Sequence, residues 1–185
     1  MQATRSGNST PLAMVSYVAL GANLPSERFG PPRATLCRAL DTLVHRGVAI
    51  RARSGWYESA PVPASDQPWF VNAVIEIGDV RDPARLLTIL HEVEASLGRV
   101  RSVRNAPRAV DLDLIDANGR VSPADGWPAL PHPRLHERAF VLMPLKEIAP
   151  DWRHPESGRH IDSLLAGLPD GQSCRRASAH GTCES

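Results

Sequence analysis

A chain of 185 residues of which 42% are hydrophobic can bury about two thirds of its unfolded surface in one core, so one domain with extensions is expected rather than two. Its 21 basic and 20 acidic side chains leave a formal net charge of +1 and form no long like-charged block, which points to neither nucleic acid nor a membrane surface as partner. No stretch approaches the roughly 20 apolar residues of a membrane span, and three cysteines without a Cys-x-x-Cys pair suggest neither a zinc site nor a disulfide framework, which fits a reducing cytoplasm.

Residues 1–14 read as a disordered extension, because the apolar run after Leu12 is short and broken by Ser16 and Tyr17, unlike a secretory leader. Residues 15–22 read as a buried strand ending in a Gly-containing turn. The spacing of Leu36, Leu40 and Leu43 predicts a helix over 32–46, stopped by Gly47, with Cys37 as a small core residue. A strand over 48–58 follows, in which Gly55 signals a bulge or a close backbone approach. The proline-rich stretch 60–68 is a loop, and 69–77 returns as a strand. Asp82 is placed to cap a helix with Pro83 in its first turn, and Leu86, Leu87, Leu90, Val93 and Leu97 keep helical spacing until Gly98. Beyond the next strand, helices are expected over 138–146 and 161–166, and the polar stretch 169–185 is expected to be disordered. Trp56, Trp127 and Trp152 read as packing residues. The resulting order, strand-helix-strand-strand-helix-strand, is the α+β, ferredoxin-like βαββαβ arrangement: an antiparallel sheet with helices on one face, plus C-terminal helical additions, within a single domain over 15–168.

The chemistry concentrates between Arg99 and Asp113. Val110, Leu112 and Leu114 alternate with Asp111 and Asp113, so a strand presents both carboxylates on one face. Two such like charges need a cation between them, and hard oxygen ligands with room for water and phosphate suit magnesium. Arg99, Arg101, Arg104 and Arg108 stay charged and fork onto phosphate oxygens, which supplies counter-charge for a polyphosphate. The same residues taken alone also fit a solvated strand edge beside a basic surface loop.

The remaining blocks decide between these. Residues 98–113 resemble the signature of the hydroxymethyldihydropterin pyrophosphokinases, Gly-Arg-x-Arg-x-x-Arg-x-x-Pro-Arg-x-x-Asp-Leu-Asp. The run Tyr-Val-Ala-Leu-Gly-Ala-Asn-Leu at 17–24 resembles the family's opening strand. Tyr-Glu-Ser-Ala-Pro at 57–61 and Gln-Pro-Trp-Phe-Val-Asn-Ala at 67–73 resemble its pterin-side segments, and Pro131-His132 with 138–150 its closing block. The resemblance implies transfer of pyrophosphate from ATP, the co-substrate, to the hydroxymethyl group of 6-hydroxymethyl-7,8-dihydropterin, with release of AMP, in folate biosynthesis. It implies two Mg2+ ions on Asp111 and Asp113, catalytic Arg99 and Arg108, and ATP contacts from His91, Glu94, Arg101, His132 and Arg138. For the pterin it implies stacking between Phe70 and Phe140, a hydrogen-bonding edge from Asn72, and backbone groups of Ser59, Ala60 and Val62. A cytoplasmic monomer with small-molecule substrates, and with neither nucleic-acid nor membrane partners, is the accompanying expectation.

Several positions depart from the family pattern. Asn105 replaces a tryptophan, Ala106 a glycine, Ser59 a threonine and Ala22 a serine, and Pro133 follows His132 where an aromatic can occur. These keep a second reading open, a catalytically weakened pterin- or nucleotide-binding module descended from the family. An RNA-binding ferredoxin-like domain is disfavoured, because no basic-aromatic strand pattern is present and an Asp pair repels phosphate.

Overall fold

The computed structural model describes residues 14–78, 80–99, 109–178 and 183. The first thirteen residues, Arg101, Asn105, Ala106 and Arg108 lie outside them. Strand β1 (Ser16–Ala22) sits at the centre of an antiparallel sheet between β4 (Phe70–Ile77) and β5 (Asp111–Ala117). β4 pairs on its other side with both β2 (Ile50–Arg53) and β3 (Tyr57–Ser59), and β3 pairs outward with β6 (Cys174–Arg176). Setting β6 aside, this is the strand order of the expected ferredoxin-like sheet.

Residues alternate sides along each strand, and both sides are covered. Val18, Leu20, Ala73, Ile75, Leu112 and Leu114 face α1 (Pro32–His45) and α2 (Pro83–Ser96) through Leu36, Leu43, Leu90 and Val93, all buried. On the opposite side Tyr17, Val74 and Ile115 meet Leu142 and Leu145 of α3 (Ala139–Ile148) and Ile161 and Leu164 of α4 (Ile161–Ala166). Each fully buried leucine or isoleucine contributes about 1.5–3 kcal/mol. The C-terminal helices therefore build a second core.

The helix signals act where they were read. Asp82 accepts from the Arg85 N–H at 3.0 Å, and Gly98 takes the positive φ of 89° beyond α2. The stretch 48–58 differs, since it is two strands rather than one. At the break the Ser54 hydroxyl, in place of a backbone carbonyl, accepts the Val74 N–H at 3.0 Å, which lets the chain step sideways. Gly55 does mark a close approach: a Cβ there would lie 2.9 Å from Nε of Arg176.

Three further expectations are corrected. The expected disorder over 169–185 does not hold for its described part, where residues 174–176 form β6, held by the β3 ladder and by Arg176 donating to Glu147 at 2.9 Å. Cys37 packs against the core as expected, but the reading of no disulfide fails: it is bonded to Cys183, 146 residues away, with Cα atoms 5.6 Å apart. Trp56 and Trp152 are packed, whereas Trp127 is 64% exposed and packs little. Among the described residues no helix is long and apolar enough to cross a membrane.

Candidate active site

Strand register assembles the site. Gly21 of β1 pairs with Asp111 on one side and Asn72 on the other, and Asn72 pairs in turn with Tyr57. Paired residues share a face, so Asp111 and Asn72 emerge on the same side, two strands or about 10 Å apart. Between them stands a residue with no side chain. A Cβ at Gly21 would sit 3.3 Å from Oδ1 of Asn72, so glycine keeps that strip of sheet open and leaves Asn72 unstrained. In the next row Asp113 lies opposite Ala19 and Ala19 opposite Val74, and there the α3–α4 core closes over Ala19 and the buried Val74. The result is a trough with carboxylates on one wall and an amide on the other.

On the amide wall Asn72 is buried and donates to the Ser59 hydroxyl at 3.0 Å, which orients its amide edge. Phe70 pairs with Ser59 at the start of β4 and is half-buried. Of the three backbone segments expected to serve a pterin, Ala60 already gives its N–H to the Ser173 carbonyl at 3.0 Å, leaving its carbonyl as the polar group it could offer. Val62 is 40% exposed in the loop. Phe140, in the first turn of α3, lies with its ring 5.6 Å from the Arg138 guanidinium.

On the carboxylate wall the charges are interleaved. Arg99 donates to Asp111 at 2.7 Å and also bridges to Glu94, while Arg138 forms an ion pair with Asp113 at 3.7 Å. Glu94 is 1% exposed; its Oε1 accepts the Leu112 N–H at 2.7 Å, and its Oε2 is buried without a hydrogen-bond partner. Burial pushes its acid up to about 7, more than the Leu112 N–H and Arg99 pull it down. His91 lies one helical turn before Glu94 on α2 and is half-buried. His132 donates its backbone N–H to Ile115, and its Nδ1 accepts from the Arg134 N–H at 3.1 Å. Burial, with Arg138 nearby, lowers its pKa to about 4, so it is a neutral donor-acceptor at pH 7.

These groups fit a hard divalent cation. Asp111 and Asp113 are partly exposed carboxylates on one face, beside a buried carboxylate whose second oxygen lacks a partner. Among the described residues no group of three or more metal-ligating side chains occurs, so water and phosphate oxygens would complete the shell, as magnesium prefers. The structure thus brings together Arg99, Asp111, Asp113, Glu94 and Arg138, and sets Ser59, Phe70 and Asn72 across the trough.

One polar cluster escaped the sequence reading. Glu147 of α3 accepts from the Tyr57 hydroxyl at 2.8 Å, from the Gly55 N–H at 3.0 Å and from Arg176. Burial, then this bond, pushes the Tyr57 phenol up to about 12. The cluster ties β3, α3 and the tail strand together beneath the amide wall. Tyr57 and Glu147 both stand in recognisable blocks; nothing local marks Arg176.

The chain is similar to several known proteins. The family model for 7,8-dihydro-6-hydroxymethylpterin-pyrophosphokinase (HPPK) matches residues 17–150. The 2-amino-4-hydroxy-6-hydroxymethyldihydropteridine pyrophosphokinase of Pseudomonas aeruginosa is 40% identical over 157 residues, which cover 83% of this chain and 91% of that protein. The protein of the same name from Methylorubrum extorquens is 40% identical over 137 residues, 74% of this chain and 83% of that protein. The Pneumocystis carinii folic acid synthesis protein fol1 is 34% identical over 154 residues, but the chain spans only 20% of its length. The crystal structure of wild-type HPPK-DHPS from Plasmodium falciparum superposes with a TM-score of 0.57 at 12% identity, covering 84% of this chain and 44% of that one. The likeness to that structure concerns the fold alone. With a family model over most of its length and relatives at 40% identity matched over 83% and 91% of their own length, the chain belongs to the 7,8-dihydro-6-hydroxymethylpterin-pyrophosphokinase family.

Proposed function

We propose that this protein transfers the pyrophosphoryl group of ATP to the hydroxymethyl oxygen of 6-hydroxymethyl-7,8-dihydropterin, releasing AMP, as the folate-pathway step named for its relatives. The observation that carries the reading is the in-register row Asp111, Gly21, Asn72, which faces a phosphate-side wall with a pterin-side wall across an open strip of sheet. Asn72, locked by Ser59, reads the pterin edge, with Phe70 and Phe140 supplying stacking faces. Asp111 and Asp113 would hold two Mg2+ ions, which supply charge neutralisation and in-line orientation of the phosphates. Attack is by the alcohol itself at the β-phosphorus, so no side-chain nucleophile is needed. Arg99, with Arg108 from the segment outside the described residues, stabilises the charge that grows on the bridging oxygen as AMP leaves, while Arg101 of that segment contacts ATP. His132, neutral at working pH, and His91, Glu94 and Arg138 form the nucleotide side. Ser59, Ala60 and Val62 complete the pterin pocket through backbone groups.

Small-molecule substrates and a cytoplasmic monomer complete the proposal. The Cys37–Cys183 bond is the observation that stands against that location, because reducing compartments keep such pairs as thiols. The weakened-module alternative is not favoured: Arg99, both aspartates and Asn72 are all in place. Replacing Asp113 with alanine is expected to lower kcat by several orders of magnitude while circular dichroism stays unchanged. Activity near wild type in that variant would remove the metal assignment.

A further inference from the structure

We propose that Arg99 and Arg138 are charge placeholders on the metal carboxylates, so that the divalent cation enters as a complex with the nucleotide and is excluded when it arrives alone. The inference rests on the assignment of Asp111 and Asp113 as metal ligands. Each of these carboxylates has an arginine on it: Arg99 donates to Oδ1 of Asp111 at 2.7 Å, and Arg138 lies 3.7 Å from Oδ2 of Asp113. The arginines come from different places, one from the chain leaving α2 and the other from the residue preceding α3. Both are well held, with side chains 21% and 20% exposed.

Successive same-face residues on a strand lie about 7 Å apart, so Asp111 and Asp113 together demand positive charge at this corner of the sheet. A guanidinium occupying Asp111 Oδ1 takes the oxygen that a hard cation would need, and it repels that cation as well. A bare ion must therefore break an arginine-carboxylate contact against that repulsion, with Arg99 falling back on its bridge to Glu94. A metal-polyphosphate complex brings its own anion. The arginines would then turn from carboxylate to phosphate as Asp111 and Asp113 take up the cation, an exchange that conserves charge. The same exchange delivers Arg99 to the phosphates only when a metal-bearing nucleotide is present.

The test titrates Mn2+ into the full-length protein without nucleotide, following free Mn2+ by electron paramagnetic resonance. R99M and R138M are each expected to bind Mn2+ alone about tenfold more tightly than wild type. R46M, which removes an equal charge from the exposed Arg46–Glu92 pair, is expected to match wild type. Unchanged or weaker Mn2+ binding in folded R99M and R138M overturns the proposal. R99M strands the buried Glu94, so if it fails to fold, R138M decides the question, because its partner is partly exposed. D111N and D113N, titrated with Mn2+ and a non-hydrolysable ATP analogue, separate the two levels. If they lose Mn2+ while the arginine variants behave as wild type, the metal assignment stands and the placeholder role falls. If they bind as wild type, both fall.

Discussion

Glu94 offers a test of the electrostatics of the site that needs no substrate. Its carboxyl is 1% exposed, one oxygen has no partner, and its acid lies at about 7 in the folded protein against 4.5 when unperturbed. The folded state thus holds the proton more tightly than the unfolded state, and stability contributed by the protonated form is complete below about pH 4.5. It is lost as pH rises towards 7. At 1.36 kcal/mol per pH unit the whole effect is about 3 kcal/mol, and partial relaxation around the charge would bring it nearer 2. Glu94→Gln removes the titration while keeping the shape. Urea denaturation of both proteins at pH 5 and pH 7.5 cancels every other titrating group to first order. The wild type is expected to lose about 2–3 kcal/mol relative to the variant on going from pH 5 to pH 7.5, on top of a constant offset from the altered contact with Arg99. Parallel stability profiles would show that Arg99 and the Leu112 N–H fully compensate burial, and the reasoning would fail.

The open strip at Gly21 gives a second expectation: Gly21→Ala places a Cβ 3.3 Å from Oδ1 of Asn72, so the KM for the pterin should rise several-fold while that for ATP stays constant, and equal changes in both would mean the trough is not divided as described. The disulfide gives a third. Alkylation of the denatured protein without reductant is expected to label Cys174 alone, and all three cysteines after reduction, by mass spectrometry. Closing a loop of 146 residues stabilises the fold by about 4–5 kcal/mol on the chain-entropy account, so a shift in the urea midpoint on reduction is also expected; no shift would leave Cys183 without a structural role.

Features controlled by neighbours in sequence were readable before the structure. Asp82, Pro83 and Gly98 bound α2 because capping and positive φ are local requirements, and period-two alternation sufficed to put Asp111 and Asp113 on one face. Features controlled by distant partners were not. The split of 48–58 depends on Ser54 meeting Val74, β6 depends on the free edge of β3 and on Glu147, and Cys37 finds Cys183 only after folding. The exposed Trp127 shows that residue type alone does not decide burial. Gly21 belongs to both groups: it stands in a recognisable block, but its purpose emerges only from a register that lines it up between Asp111 and Asn72.

The central claim is the reaction, and product analysis tests it most directly. Purified protein given ATP, 6-hydroxymethyl-7,8-dihydropterin and Mg2+ is expected to form AMP in step with a pterin pyrophosphate, resolved by chromatography, and to form neither when the pterin or the metal is withheld. Absence of AMP with all three present, or appearance of ADP in its place, would contradict the account.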